Sequence, residues 1–282
     1  MSEECTKSDC ESCGEAGCGH RKGAPAKEAA NAGSHVKHMI AVISGKGGVG
    51  KSTVTALLAN AVKKAGKKAA ILDADITGPS IPKMYGITDK AESNGEAVLP
   101  VVSKGGMPVM SINVLLEDEN EPVIWRGPVI SGTVRQFWTE VAWGDVDVML
   151  VDMPPGTGDV PLTVFQSLPV EGIVVVTSPQ DLVSMIVGKA VRMAQMMNVP
   201  VLGLVENLSY FECPDCGKRH EIFGNSHIEE VAGQYGITQV VRLPIIPAQA
   251  GLCDAGEADK LENTDLEAFA DRVLKALETK EA

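Results

Sequence analysis

Along the chain, short apolar runs rich in β-branched residues alternate with longer stretches whose apolar positions recur every three or four residues, beginning at His38. The runs cover 39–44, 69–73, 146–152, 172–177, 201–206 and 239–243, and each reads as a strand. Their apolar character is continuous instead of alternating, which suits strands buried on both faces, as in a parallel sheet. The stretches 51–65, 129–141, 182–198, 226–235 and 265–278 predict helices. Strand and helix in alternation give an α/β fold with a mostly parallel sheet flanked by helices. Segments 97–102 and 108–113 are weaker strand candidates joined by 103–107, a peripheral hairpin. No internal repeat interrupts the pattern.

Before His38 the pattern is absent. Residues 1–37 are rich in Cys, Gly, Ala, Lys and Glu and nearly devoid of large apolar side chains, so they cannot build a core unaided. The expected organisation is a cysteine-rich tail, 1–37, followed by one α/β domain, 38–282. The 282 residues are 44% hydrophobic, enough for a full core, and carry a formal charge of −12. That charge excludes a surface built to coat nucleic acid, which needs clustered Lys and Arg. No apolar run reaches the roughly 18 residues of a membrane span, and the start lacks the basic-then-apolar order of a secretory signal. The expectation is a cytoplasmic protein without a membrane or nucleic-acid partner, whose seven cysteines stay reduced and serve as ligands.

The first predicted strand runs straight into Gly45-Lys46-Gly47-Gly48-Val49-Gly50-Lys51-Ser52-Thr53, and a helix follows. That order fits the phosphate-binding motif G-x-x-x-x-G-K-[ST]. Glycines let successive backbone N–H groups turn toward one anion, and the helix N-terminus adds its partial positive charge. Lys51 is expected on the β and γ phosphates of the nucleotide and Ser52 on Mg²⁺. Two further strand ends supply carboxylates, Asp73 and Asp75 after one and Asp152 and Asp159 after the other. In an open parallel sheet such ends face the ligand crevice. Asp152 is assigned to Mg²⁺ through water and Asp75 to the attacking water, while Asp73 and Asp159 serve equally well as turn or capping residues. Lys46 is a second cation, surplus to one loop. With it the loop resembles the deviant class K-G-G-x-G-K-[ST], whose extra lysine reaches the nucleotide of a partner subunit and neutralises transition-state charge as an arginine finger does.

Together with D-A-D-I-T-G-P-S at 73–80, V-D-M-P-P-G-T-G-D at 151–159 and E-N-L-S-Y-F-E-C-P-D-C at 206–216, the loop resembles the Mrp-type (ApbC-like) iron–sulfur cluster carrier ATPases over roughly residues 38–280. The tail, with Cys5, Cys10, Cys13 and Cys18, is similar to the ferredoxin-like extension of the eukaryotic scaffold branch. It has a tighter first interval. The resemblance implies a slow ATPase working as a homodimer. It also implies a [4Fe-4S] cluster bridged by Cys213 and Cys216 of each subunit and passed from a donor to apo iron–sulfur proteins. It further implies that Asn207 contacts adenine, a role for which an amide is chemically suited.

On chemistry alone, the C-P-D-C-G turn is also half of a zinc site, completed in one chain by His220 and His227 or in two chains by a second cysteine pair. The four tail cysteines can hold one cluster, or zinc, or act in redox chemistry. Cys253 reads as a buried small apolar residue. Two other functions share the loop: a MinD-like positioning ATPase and a reductase like the nitrogenase iron protein. The C-terminal helix through Val273, Leu274 and Leu277 has few basic residues to grip an anionic surface, as the first would require.

Overall fold

A computed structural model of the chain describes residues 27–116, 127–156, 158–179 and 183–281. Strand β1 (Ser34–Ser44) lies near the middle of the sheet, paired in parallel with β5 (Gly144–Asp152) on one side and β6 (Gly172–Thr177) on the other. Beyond β5 come β2 (Ala69–Asp73), parallel, then β4 (Pro108–Met110) and the antiparallel edge strand β3 (Val101–Val102). Beyond β6 comes β7 (Val201–Glu212), with β9 (Val240–Pro244) parallel to it and β8 (Arg219–His220) folded back on its end. Among the described residues this makes a nine-stranded sheet, mostly parallel.

Five of the six continuous apolar runs are the buried strands they promise to be, whereas the last, β9, alternates between half-buried and buried positions. Residues 69–73 and 172–177 are buried throughout, and the last seven residues of β1 are as well. The hairpin β3–β4 stands at the sheet edge where its weaker pattern places it. Two elements extend the sequence reading. β1 starts at Ser34, not at residue 39, because its first four residues alternate between exposed and half-buried and so form no apolar run. Just before it, Glu28 donates its N–H to Ser167 O at 2.7 Å and accepts Trp138 Nε1–H at 2.9 Å, which fixes the entry to the strand. β7 continues six residues past 206, through Asn207 and Ser209, polar residues that are themselves buried.

Helix α1 (Lys51–Lys64) follows the phosphate loop and buries Val54, Leu57, Leu58 and Val62. The remaining helices are α2 (Ile81–Met84), α3 (Gly127–Thr139), α4 (Asp159–Ser167), α5 (Val183–Met196), α6 (Ile228–Tyr235), α7 (Pro247–Asp254) and α8 (Thr264–Glu281). Helix α6 stops at Gly236, whose φ of +67° provides the left-handed cap that glycine adopts without strain. Phe269 of α8 is fully buried and lies against the backbone of Gly203 in β7. No helix among the described residues is long and apolar enough to cross a membrane.

Candidate functional site

The carboxyl ends of β1, β2 and β5 lie side by side, with Asp152 in register with Val42 on one neighbour and with Asp73 on the other. Residues 45–50 leave β1 at this edge and lead into α1, and Gly48 and Gly50 take φ values of +78° and +76° that only glycine adopts cheaply. The loop so formed opens a cleft of about 290 Å³, lined by Lys46, Lys51, Ser52, Asp75, Met84 and Pro155 among others. Gly156 closes the loop over the site by donating its N–H to Ser44 O at 2.8 Å.

At the floor of the cleft one cation faces three carboxylates. Lys51 Nζ sits 2.7 Å from Asp152 Oδ1 and 4.0 Å from Asp75 Oδ2. Asp152 is fully buried and accepts two hydroxyls, Ser52 Oγ–H at 2.6 Å and Thr55 Oγ1–H at 2.7 Å. Asp73 is also fully buried and accepts Ser111 Oγ–H at 3.1 Å and the Asp75 backbone N–H at 3.1 Å. Burial, and then the charge of Asp152 beside it, push the Asp73 carboxyl well above the usual carboxylate range. Burial pushes Asp75 up as well, with Lys51 opposing. The structure therefore gives Asp73 both a turn role, through Asp75, and a place in the acidic floor. The side chain of Asp159 lies outside the described residues.

Asn207 is buried at the irregular turn of β7 and donates Nδ2–H to Val49 O at 3.0 Å. A Cβ on Gly50 would stand 2.3 Å from the same nitrogen, so amide and loop are in contact. Lys46 is half-buried on the cleft wall, and its carbonyl accepts Ser44 Oγ–H at 3.0 Å.

Six residues beyond Asn207, the chain turns at Cys213–Gly217. Cys213 donates its N–H to Lys218 O and accepts the Gly217 N–H at its carbonyl, with Gly217 at φ +68°. Cys213 is half-buried, Cys216 is exposed, and both are free thiols. Hydrogen bonds from the Cys216 and Asp215 backbone, then from the Cys216 side chain, hold the Cys213 thiol below the ordinary thiol value. Among the described residues no three side chains of ligating type converge on a metal position. His220 pairs in β8, and His227 stands at the start of α6, 3.8 Å from Glu230. A one-chain site of Cys213, Cys216, His220 and His227 is thus not formed among the described residues. The tail cysteines Cys5, Cys10, Cys13 and Cys18 lie outside the described residues.

The family described as NUBPL iron-transfer P-loop NTPase matches residues 35–278 of the chain. The protein belongs to this family.

Among its relatives, the iron–sulfur cluster carrier protein of Methanocaldococcus jannaschii is 48% identical over 214 residues, 75% of this chain and 74% of the relative. That of Methanococcus maripaludis is 39% identical over 287 residues, 95% of this chain and 98% of the relative. The nucleotide-binding protein of Archaeoglobus fulgidus, solved in complex with ADP, superposes with a TM-score of 0.74 at 45% identity, over 82% of this chain and 90% of that one. The MinD cell division ATPase of Pyrococcus furiosus, at 19% identity and a TM-score of 0.59 over 86% of this chain and 99% of that one, shares the fold.

In this chain, four residues at or beside the site escape sequence reasoning. Thr55 looks like an ordinary helix residue, and its i+4 spacing from Lys51 is the only hint that both meet Asp152. Glu206 and Arg242 lie beneath Asn207, 3.3 Å apart. Each sits in a strand where hydropathy gives no reason to look for an ion pair. Cys253 is not the fully buried residue expected but half-buried on α7, its thiol pushed up by burial and in contact with Thr53 of the phosphate loop.

Proposed function

We propose that this chain binds and hydrolyses ATP and, as a homodimer in the cytoplasm, carries a [4Fe-4S] cluster from a donor to apo iron–sulfur proteins. One observation carries the reading: the same fold that forms the phosphate loop presents a two-thiolate turn with no third ligand converging on it among the described residues. A cluster takes four thiolates, so a second copy related by a two-fold axis, offering its own Cys213 and Cys216, completes the set. Membership of an iron-transfer family and relatives bearing the name iron–sulfur cluster carrier support the same reading. Cys5, Cys10, Cys13 and Cys18 are assigned to a second cluster.

In the nucleotide site, the backbone N–H groups of 47–53 and Lys51 take the phosphates. Asn207 Oδ1 is assigned to the adenine amino group, its Nδ2 remaining on Val49. Ser52 Oγ and Asp152 Oδ2, hard oxygen donors 2.6 Å apart above an acidic floor, suit Mg²⁺, with Asp152 reaching it through water. When bound, that ion would neutralise charge on the β and γ oxygens. Asp75 orients the attacking water, and Lys46 reaches the partner's nucleotide as the transition state gathers charge.

The test is iron, acid-labile sulfide and zinc per chain, on protein prepared without oxygen. Wild type is compared with Cys213→Ala/Cys216→Ala and with a variant lacking the four tail cysteines. The reading expects iron and sulfide to fall together in each variant. Zinc without sulfide would overturn it and make these sites structural.

A further inference from the structure

The phosphate loop and the cysteine turn are joined by a run of polar side chains that begins within the nucleotide site and leaves it. It starts at Asn207, which holds Val49 O. The adjacent Glu206 has no exposed surface, a costly place for a carboxylate unless it is paired. Its Oε2 accepts Ser209 Oγ–H at 2.6 Å and pairs with Arg242 Nε at 3.3 Å, and Arg242 Nε–H also donates to Ser209 Oγ at 2.8 Å. The other end of the same guanidinium leaves the interior. Arg242 Nη2 reaches Glu221 Oε1 at 3.3 Å, and Glu221 directly follows β8, the short strand paired with Phe211 and Glu212 just before Cys213. The Tyr210 ring lies under both arginines of this corner, with Arg219 at 4.4 Å and Arg242 at 6.0 Å from its centroid.

Two features mark this corner as able to take a second arrangement. Leu208 holds φ +57°, a region a branched side chain occupies only when its surroundings impose it, and the pairing of β7 with β9 breaks between Glu206 and Tyr210. Glu206 Oε1 and Thr177 Oγ1, in register on adjacent strands, are both buried without a hydrogen-bond partner. A half-satisfied buried network is the kind that a small shift can complete differently.

We infer that Arg242 is a positioning residue that links the state of the nucleotide loop to the Cys213–Cys216 turn, by joining Glu206 behind the loop to Glu221 beside the turn. The inference rests on the carrier reading and deepens it: nucleotide occupancy changes how the two thiolates are presented. Binding at one site then shifts the other by a coupling free energy carried through this network.

The experiment follows alkylation of Cys213 and Cys216 by iodoacetamide, resolved by peptide mass spectrometry, on full-length protein freed of metal by chelation, with and without saturating MgADP. In wild type MgADP should change the rate by roughly fivefold, and in Arg242→Gln and Glu221→Ala by under about twofold, with MgADP still bound. Glu230→Ala, a surface carboxylate on α6 outside the network, should respond as wild type does. An undiminished response in Arg242→Gln, or no response in wild type, would overturn the link. If Arg242→Gln fails to fold, Glu221→Ala decides, since it leaves the buried Glu206–Arg242 pair in place. Failure of the link leaves cysteine-dependent iron and sulfide intact, whereas failure of the carrier reading removes them whatever the alkylation rates show.

Discussion

Gly50 sits at φ +76° with the Asn207 amide pressed against the place its side chain would occupy. A methyl group there meets two penalties at once, about 1–2 kcal/mol for the left-handed backbone and a clash that pushes Asn207 off Val49. Gly50→Ala should therefore weaken ADP binding by at least about tenfold, read by calorimetry, and lower stability by roughly 1–3 kcal/mol. At this scale much of the site is legible in the sequence, because the chemistry of the loop demands particular residue types at fixed spacing. Gly45 through Thr53, Asp75 and Asp152 do stand around one cleft edge. Asp73 and Thr55 stay ambiguous until the strand register and the helix phase place them beside Asp152. Arg242 stays hidden for a different reason: its partner Glu206 is 36 positions away, and only the pairing of β7 with β9 brings them together.

Elements that bury a continuous apolar run announce themselves, and those whose burial depends on polar contacts or short length do not. The six continuous apolar runs all become strands and the two weaker candidates shrink to 101–102 and 108–110, but α4 and α7, like the shorter α2 and β8, are not foreseen. Helix α4 contains Pro161, and α7 buries no residue at all. The far half of β7 is hidden because Glu206, Asn207 and Ser209 read as a turn, although their own hydrogen bonds make them internal. Packing between elements yields two predictions. Gly203 lets α8 approach β7, and a Cβ there would lie 2.6 Å from Phe269 Cε2 and 2.8 Å from Gln239 O. Gly203→Ala should cost about 1–3 kcal/mol, seen as a lower midpoint in urea with unchanged slope. Asp147 in β5 ties together the open end of β1, through Lys37, and the approach to β2, through the Lys68 N–H at 2.8 Å. These hydrogen bonds, that of Lys37 first, hold its carboxyl below the usual value. A depressed carboxyl stabilises the fold above its unfolded value and loses that contribution as pH falls through its folded one. Asp147→Asn should thus be less stable at pH 7 by under about 1 kcal/mol, as befits a solvent-screened pair. The deficit should close in urea titrations run below about pH 4.

For the whole molecule, the proposal that Lys46 acts across a dimer predicts an outcome no single chain can satisfy. A Lys46→Ala chain should bind ATP yet hydrolyse it slowly, and a Lys51→Ala chain should bind it poorly. Mixed together they should recover activity, because the intact Lys46 of the second chain serves the nucleotide held by the first. A mixture no more active than the average of its parts would sink the arrangement. The acidic floor beneath the loop bears on what such an assembly responds to. Lys51 is already held by Asp152 at 2.7 Å, with Asp73 and Asp75 beside it. Drawing that lysine away with a bare phosphate anion leaves a buried carboxylate facing more negative charge, which a low-dielectric interior penalises heavily. Drawing it away in the company of a divalent cation leaves Asp152 compensated. The resting chain is in that sense built as a coincidence detector, and calorimetry should find ADP bound more tightly with Mg²⁺ present than without it.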